Sequence, residues 1–192
     1  GIIDGNGFEI SNIPTTLFNK INAGAEIKNI NLSFVVKNKY IFNTNNVFAS
    51  ISISNYGIIK NSLVTLDLEA STISNYLVGG MVYFNYGEVL DSRIFINAVN
   101  TGAGVSQAGA FAYKNEGLIL NSQVLEGSEV KGFSITSGFV YENNSVIEQS
   151  IVKLSIIIPR NGTGVGFAYE NKRNNSGKTA YLVGNNSYIN YT

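Results

Sequence analysis

One segment recurs along the chain at a nearly constant interval. It is clearest at Gly109–Ser122, and Met81–Ser92 and Phe139–Ser150 repeat its order of apolar, aromatic, asparagine and serine positions. Fainter copies begin at Ile21 and Ile53. The asparagine of each copy marks an interval of 28 to 33 residues, and the series is Asn22, Asn55, Asn85, Asn115, Asn143 and Asn171. A period in this range is typical of solenoids, in which equivalent positions of successive coils stack on one another.

The first part of each unit reads apolar-x-aromatic-x-Asn. The position before the asparagine is charged in three of its four clear copies, so we expect it to face water; its occupants are Phe84, Lys114, Glu142 and Glu170. The alternation then predicts two inward columns, one of Met81, Phe111, Phe139 and Phe167 and another of Tyr83, Tyr113, Tyr141 and Tyr169.

The second part is a corner that reads Asn-x-Gly in three copies. We expect the glycine to supply a positive φ and the asparagine to bond the backbone near it. An asparagine at the same corner of every coil also predicts a hydrogen-bonded ladder along the stack, built from Asn55, Asn85, Asn115, Asn143 and Asn171.

The third part is a strand that begins with serine. Charged or amide residues alternate with aliphatic ones there, so we expect the serines to point inward as a second ladder; they are Ser62, Ser92, Ser122 and Ser150. A further inward column precedes them, formed by Ile59, Val89, Ile119 and Ile147.

Between the units lie segments rich in Gly, Ser and Thr, which we expect to be loops of variable length; they are Glu69–Gly80, Asn97–Gly109, Glu126–Gly138 and Ser155–Gly166. No long segment has the 3.6-residue period of a helix. The chain therefore predicts an all-β, right-handed parallel β-helix of about six coils, with three short strands in each coil. An antiparallel sandwich is the alternative, but it does not account for identical residues at equivalent positions.

We expect a single domain over residues 1–192. Residues 1–15 form an opening coil, 16–170 the repeat coils and 171–192 an irregular last coil. Because Gly1 already lies within an apparent coil, we expect the chain to be a piece of a longer protein.

Composition excludes several kinds of chemistry. The chain has no Cys and no His, which removes disulfides, thiolate and imidazole ligands, and the commonest general base. Its 13 basic and 13 acidic side chains cancel, so no positive field favours phosphates. We therefore predict no cofactor, no metal site, no nucleic-acid partner and no insertion into a membrane.

Aromatic side chains are the main candidates for binding. Tyr56, Tyr86 and Phe84 fall at corner or outward positions, and we add Phe95 to the predicted binding set. Exposed aromatic residues that lie together form a platform for a sugar ring or a protein partner. Packing against a neighbouring domain or a long loop is the alternative, and it applies also to Tyr40, Phe42 and Phe48.

Two sets of residues with side-chain oxygens are candidates for a catalytic or metal site. Glu142 and Glu170 occupy equivalent positions about one rung apart, roughly the 5 Å spacing of a retaining glycosidase pair. A solvated ladder in which Lys114 offsets Glu142 is the simpler interpretation. Asp4, Asn6 and Glu9 carry oxygen ligands suited to calcium, but Asp4–Gly7 reads more simply as a tight turn.

The residues also resemble a known family. Asp4–Ile13, Leu17-Phe18 and Ala25–Leu32 are similar to the opening region of GLUG-motif β-helix proteins, and units such as Gly138–Asn143 are similar to the GLUG repeat. The resemblance covers essentially the whole chain. It departs from the family pattern at Tyr83, Tyr113, Tyr141 and Tyr169, where a small residue is usual. The resemblance implies a secreted or surface-anchored region that acts as a spacer or adhesive, with no catalytic residue.

Three functions follow as hypotheses. The preferred one is a non-catalytic, extracellular or cell-surface spacer that presents outward aromatics and variable loops to a protein or glycan partner, or to itself. The second is a carbohydrate-active enzyme that uses Glu142 and Glu170. The third is a structural subunit that polymerises through its open coil ends, where strand edges are unpaired.

Overall fold

A computed structural model describes residues 1–37, 46–71, 75–102, 104–172 and 180–191. All regular secondary structure in these ranges is β-strand. The chain opens with β1 (Ile2–Asp4) and β2 (Glu9–Ile13). A coil of three strands follows, β3 (Phe18–Ile21), β4 (Glu26–Lys28) and β5 (Asn31–Lys37).

Five coils of four strands come next. The first contains β6 (Val47–Ala49), β7 (Ser52–Asn55), β8 (Ile58–Lys60) and β9 (Leu63–Ala70). The second contains β10 (Tyr76–Gly79), β11 (Val82–Asn85), β12 (Glu88–Leu90) and β13 (Arg93–Asn100). The third contains β14 (Ser106–Gly109), β15 (Ala112–Asn115), β16 (Leu118–Leu120) and β17 (Gln123–Lys131). The fourth contains β18 (Ile135–Ser137), β19 (Val140–Asn143), β20 (Val146–Glu148) and β21 (Ile151–Ile157). The fifth contains β22 (Thr163–Val165), β23 (Ala168–Asn171), β24 (Tyr181–Val183) and β25 (Asn186–Tyr191).

Equivalent strands of successive coils pair in parallel to form four sheets, numbered in the order in which a complete coil visits them. Sheet I contains β6, β10, β14, β18 and β22, and sheet II contains β3, β7, β11, β15, β19 and β23. Sheet III contains β1, β4, β8, β12, β16, β20 and β24, and sheet IV contains β2, β5, β9, β13, β17, β21 and β25. The predicted parallel β-helix is confirmed.

The register confirms the period but corrects its first member. Asn55, Asn85 and Asn115 stand opposite one another in sheet II, 30 residues apart. The residue that pairs with Asn55 on the other side is Ile21, so Asn22 does not belong to the column.

The prediction of three strands per coil was wrong, because the expected variable loops contain the strands of sheet I. The high glycine content of these segments favoured the prediction of loops. In the structure, two of these glycines are required by close packing. A Cβ added at Gly79 would overlap the carbonyl oxygen of Val82, and one added at Gly109 would overlap that of Ala112. The chain therefore folds back on itself too tightly for any larger residue where sheet I meets sheet II.

The interior is a set of stacked apolar columns. Met81, Phe111 and Phe139 are fully buried and Phe167 packs against them, and the rings of Phe111 and Phe139 stack with centroids 4.6 Å apart. The predicted column of Ile59, Val89, Ile119 and Ile147 is likewise fully buried and lies in register along sheet III. The inward column that begins with Met81 and the one that begins with Ile59 are confirmed.

One strand interrupts the regular stacking. In β17, the four residues 125–128 stand opposite the two residues 95–96 of β13, so β17 carries a bulge of two residues. Gly127 takes a positive φ of 85° there, and pairing resumes at Glu129. The solenoid therefore accepts extra residues on sheet IV without losing its register.

The corner glycines have a different role from the expected one. Gly57, Gly87 and Gly117 are absent from the positive-φ glycines of the described residues. A Cβ at Gly87 would overlap the carbonyl oxygen of Gly57, and one at Gly117 would overlap that of Gly87. These positions exclude side chains because neighbouring coils approach too closely, and not because of their backbone angles.

We expect Gly87→Ala to lower the free energy of unfolding by about 3 kcal/mol or more, because the coils must separate to admit a methyl group that backbone atoms block. Urea unfolding followed by circular dichroism measures the change. Gly166→Ala is the matched control, since the nearest atom to its Cβ is the Ser187 Oγ at 3.2 Å, a side chain that can move. Equal losses for both variants would contradict this account.

Candidate functional site

A buried ladder of asparagine amides joins the coils where sheet II turns into sheet III. The Nδ2 of Asn55 donates to Oδ1 of Asn85 at 2.9 Å, and Asn85 donates to Asn115 at 2.8 Å. Asn115 donates to Asn143 at 2.9 Å, and Asn143 to Asn171 at 2.9 Å. The predicted ladder is confirmed at every step.

The same amides also bind the backbone of the corner. The Nδ2 of Asn85 reaches the carbonyl oxygen of Leu118 at 3.2 Å, and that of Asn115 reaches Val146 at 3.2 Å. In return, the backbone N–H of Gly57 donates to Oδ1 of Asn55 at 3.1 Å. Buried amides that use both their donors and their acceptors avoid the cost of an unpaired polar group. The ladder therefore fixes both the stacking of coils and the shape of each corner.

The serine ladder lies at the next corner, between sheets III and IV. The backbone N–H of Ser62 donates to Oγ of Ser92 at 3.3 Å, and that of Ser92 to Ser122 at 3.3 Å. Ser122 donates likewise to Ser150 at 3.2 Å, and the N–H of Ser150 donates to Oδ1 of Asn185 at 2.8 Å. The predicted serine column is confirmed, with Asn185 as an additional last member.

A second, exposed set of polar residues was missed by sequence reasoning. The residue before each corner serine takes a left-handed conformation, with φ between 47° and 50°; the set is Asn61, Asp91, Asn121 and Gln149. Asn121 donates to Asp91 at 2.7 Å, and Asn61 donates to Asn29 at 2.7 Å. The signal was present, because asparagine and aspartate are the residues other than glycine that most often adopt this conformation.

Asp4 lies at the start of the same run of exposed hydrogen bonds, one coil before Asn29. Asn29 donates to its carboxylate at 3.0 Å and the backbone N–H of Asn6 at 2.9 Å, and these bonds, with Lys28 nearby, lower the pKa of Asp4. Asp4 and Asn6 therefore form the turn that the sequence favoured over a calcium site.

We expect Asn115→Ala to lower the free energy of unfolding by roughly 2–4 kcal/mol, because it leaves buried partners on both adjacent rungs without their bonds. Asn121→Gly is the matched control. It removes one exposed amide bond and keeps the left-handed backbone accessible, so its loss should stay below about 1 kcal/mol. Chemical denaturation of both variants tests this, and similar losses would contradict a dominant role for the buried ladder.

The tyrosine column exists, but its predicted inward position was wrong. Tyr83 and Tyr113 stack with centroids 4.6 Å apart, Tyr113 and Tyr141 at 4.8 Å, and Tyr141 and Tyr169 at 5.1 Å. Tyr83 belongs to a hydrophobic cluster separate from the main core, and Tyr113 packs against the same cluster. These side chains pack where sheet I bends towards sheet II.

The cluster uses the outward side of sheet I. Phe48 points into the main core, whereas its neighbours Val47 and Ala49 pack with Tyr83. The hydroxyl of Tyr113 donates to Oε1 of Gln107, a residue of sheet I, at 2.6 Å. The apolar residues that precede each tyrosine, Val82, Ala112 and Val140, take the core position instead. Because this position is apolar and the tyrosine position after it is aromatic, the sequence alone could not show which of the two side chains points into the core.

Burial raises the pKa of Tyr83 to about 12. It also raises the pKa of Tyr113, which neighbouring Tyr83 and Tyr141 and the carboxylates Glu142 and Glu170 raise further. A folded-state pKa above the unfolded value of about 10 means that the neutral phenol is favoured by folding.

Stability from Tyr83 should therefore be complete below about pH 10 and be lost as pH rises towards about 12. When the pH is raised from about 9 to about 11.5, the free energy of unfolding should fall in both proteins. We expect the fall to be smaller in Tyr83→Phe than in the wild type, by on the order of 2 kcal/mol. Guanidinium titrations at the two pH values measure this difference. An equal loss in both proteins would contradict the raised pKa.

The aromatic corner consists of Tyr56, Tyr86 and Phe84, and the structure brings all three together. The rings of Tyr56 and Tyr86 stack with centroids 4.6 Å apart and 10° between planes, and Phe84 lies 5.9 Å from Tyr86. Tyr56 is 42% exposed and Tyr86 38%. The Nζ of Lys20 sits 4.8 Å from the Tyr56 ring centroid as a cation–π contact.

The Tyr56 and Tyr86 rings stack on each other, so one face of each ring is used within the protein. One face of Tyr56 meets Tyr86 and the Lys20 ammonium also lies over the ring. A shallow groove of corner glycines runs beside them, with Glu88 and Glu116 on its walls.

The other aromatic candidates lie elsewhere. Phe95 is half-buried on sheet IV beside the β17 bulge, so it does not join the aromatic corner. Phe48 is fully buried in the core, so it offers nothing to a partner. Tyr40 and Phe42 lie outside the described residues.

Glu142 and Glu170 stand side by side in sheet II, as predicted. Each is engaged by a lysine: Lys114 lies 3.2 Å from Glu142, and Lys172 pairs with Glu170. Lys114 also pairs with Glu116 at 2.8 Å, and Asn144 donates to Glu142 at 2.6 Å. The arrangement matches the solvated charge ladder more closely than a pair of free carboxylates.

Comparison with protein-family models, curated proteins and solved structures finds no match to this chain. Among the residues that the structure describes, no helix is long and apolar enough to cross a membrane. The same part of the chain holds no group of three or more acidic side chains placed to bind a metal ion.

Proposed function

We propose that this chain is a non-catalytic, extracellular β-helical spacer that presents the aromatic corner to a protein partner at a cell surface. The observation that carries the proposal is the corner itself. Three aromatic side chains from two adjacent coils meet there, and two of them remain about two-fifths exposed. Tyrosine is one of the residue types enriched at the energetic centres of protein interfaces.

A protein partner fits better than a glycan. Sugar rings stack on free aromatic faces, and the Tyr56–Tyr86 stack already uses one face of each ring, while Lys20 also lies over Tyr56. Ring edges, hydroxyl groups and the nearby carboxylates of Glu88 and Glu116 suit the mixed apolar and polar surface of a protein.

The spacer role follows from the ladders. Buried amide and serine columns join every complete coil to the next, which favours a stiff rod. Seven rungs of sheet III at about 4.8 Å each give a length of roughly 30 Å. Export to a surface is the part of the proposal that rests on the resemblance to GLUG repeats.

We expect Tyr56→Ser combined with Tyr86→Ser to weaken binding about 10- to 100-fold against whichever protein of a purified extracellular-matrix panel the wild type binds. Biolayer interferometry on the panel, with a glycan array beside it, supplies the measurement. Tyr188→Ser is the matched control, because Tyr188 is 63% exposed but lies on sheet IV. Unchanged protein binding by the double variant, or binding to glycans alone, would contradict the proposal.

The carbohydrate-active alternative has its own test. Glu142→Gln with Glu170→Gln should leave any glycan turnover unchanged if the two residues form a charge ladder. Reducing-sugar release from a polysaccharide panel measures turnover, and its loss in the double variant would favour the enzyme instead.

A further inference from the structure

The groove beside the aromatic corner has a floor without side chains. Three corner glycines, Gly57, Gly87 and Gly117, lie along it at the same position of successive coils. One wall consists of the residues that precede these glycines, and they are Tyr56, Tyr86 and Glu116. The other wall consists of the residues that follow them, and they are Ile58, Glu88 and Leu118. The groove has a volume of about 360 Å³, at the lower end of the range for small-ligand pockets.

The backbone of this floor is already bonded within the solenoid. The N–H of Gly57 donates to Oδ1 of Asn55 at 3.1 Å, and its carbonyl oxygen accepts from the N–H of Glu88 at 2.9 Å. The N–H of Gly87 donates to the carbonyl oxygen of Asn55 at 2.9 Å, and its own carbonyl accepts from Leu118 at 2.9 Å. A partner strand has no free edge to pair with here, so the groove suits a side chain instead.

The two walls offer apolar surface on both sides of the floor. Ile58 and Leu118 are half-buried, and they stand on the wall opposite the stacked rings of Tyr56 and Tyr86. A long side chain with an apolar stem and a polar head can bury its stem between such walls.

The groove also carries negative charge. Glu88 and Glu116 come from opposite walls of adjacent coils. Glu88 is exposed and forms no ion pair with any residue that the structure describes. Glu116 pairs with Lys114 at 2.8 Å, but Lys114 is shared with Glu142 at 3.2 Å. None of the described residues that line the groove is basic, so its charge calls for a cation.

The basic residues nearest to the groove lie around it. Lys60 stands in the neighbouring column of sheet III, opposite Leu90. The Nζ of Lys20 lies 4.8 Å from the centroid of the Tyr56 ring, so the tyrosine stack already accepts one cation at its end. Burial raises the pKa of Tyr86, and the negative charge of Glu116 raises it further, which is the direction expected beside an anionic groove.

We propose that this groove binds an arginine side chain of the protein partner. The stem lies on the glycine floor between the tyrosines and the wall of Ile58, and the guanidinium group lies between Glu88 and Glu116. Arginine fits better than lysine, because its planar fork can donate to two carboxylates and pack on aromatic rings. This inference rests on the proposed function, since it names the side chain through which the partner of the aromatic corner binds.

A short peptide tests the groove without a known partner. We expect acetyl-Gly-Ser-Arg-Ser-Gly-amide to bind with a dissociation constant on the order of 1–10 mM at low salt, since a single side chain buries little surface. Titration of the peptide into nitrogen-15-labelled protein measures this, and the amide signals of Gly87 and Gly117 should shift. The same peptide with lysine should bind about fivefold more weakly, and with uncharged citrulline about tenfold more weakly. Absent shifts at both glycines, or equal affinity for the citrulline or the lysine peptide, would overturn the proposal.

A single substitution tests the carboxylate that has no internal partner. We expect Glu88→Gln to weaken binding of the arginine peptide about fivefold to tenfold, because it removes one of the two charges that face the guanidinium group. Glu69→Gln is the matched control, since Glu69 is exposed on sheet IV and forms no ion pair with the described residues. Circular dichroism checks that both variants keep the fold. Equal affinity of Glu88→Gln and the wild type would contradict the proposed contact.

The peptide result and the protein-panel result can fail separately. A wild type that binds a panel protein through the aromatic corner but does not bind the arginine peptide would overturn this inference and leave the proposed function standing. Binding of the arginine peptide without binding to any panel protein would support the groove and contradict the proposed function. Where a panel protein binds, Glu88→Gln should weaken that complex about tenfold, and an unchanged affinity would again exclude the arginine contact.

Discussion

The stacking of identical backbone positions about one rung apart is the constraint from which the rest of this structure follows. Neighbouring coils approach so closely at the corner glycines that a methyl group would overlap a carbonyl oxygen. At that distance, like side chains become direct neighbours, and only certain types tolerate it. Amides, hydroxyls and flat rings do so because each one donates to, accepts from or stacks on a copy of itself. The repeated residues of this sequence are of these types.

Much of the fold was predictable because the repeat reports spatial neighbours directly. Asn85 and Asn115 share a position in the repeat, and they share a hydrogen bond in the structure. The stacked Phe111 and Phe139 follow the same rule. What the repeat does not report is the direction in which the chain bends within a coil. For this reason Tyr83 was predicted to point into the core, and the strands of sheet I were predicted to be loops. Tyr83 is in fact buried outside the main core, against Val47 and Ala49 of sheet I.

The candidate site was predictable to a smaller degree. The positions of Tyr56, Tyr86 and Phe84 in the repeat indicated that they lie near one another, and they do. The orientation of their rings could not be read from the sequence, because it depends on the contacts of the Tyr56 ring with Lys20 and Tyr86.

Because the spacing between Asn85 and Asn115 equals that between Asn55 and Asn85, these coils are interchangeable units. A duplication or deletion of one thirty-residue unit within this region joins like to like at the new boundary and keeps every column continuous. The length of the rod can thus change by one rung in a single genetic event, with no compensating mutation in the interior. The distance at which the aromatic corner is held from either end of the solenoid is therefore a property that evolution can adjust in steps of about 5 Å.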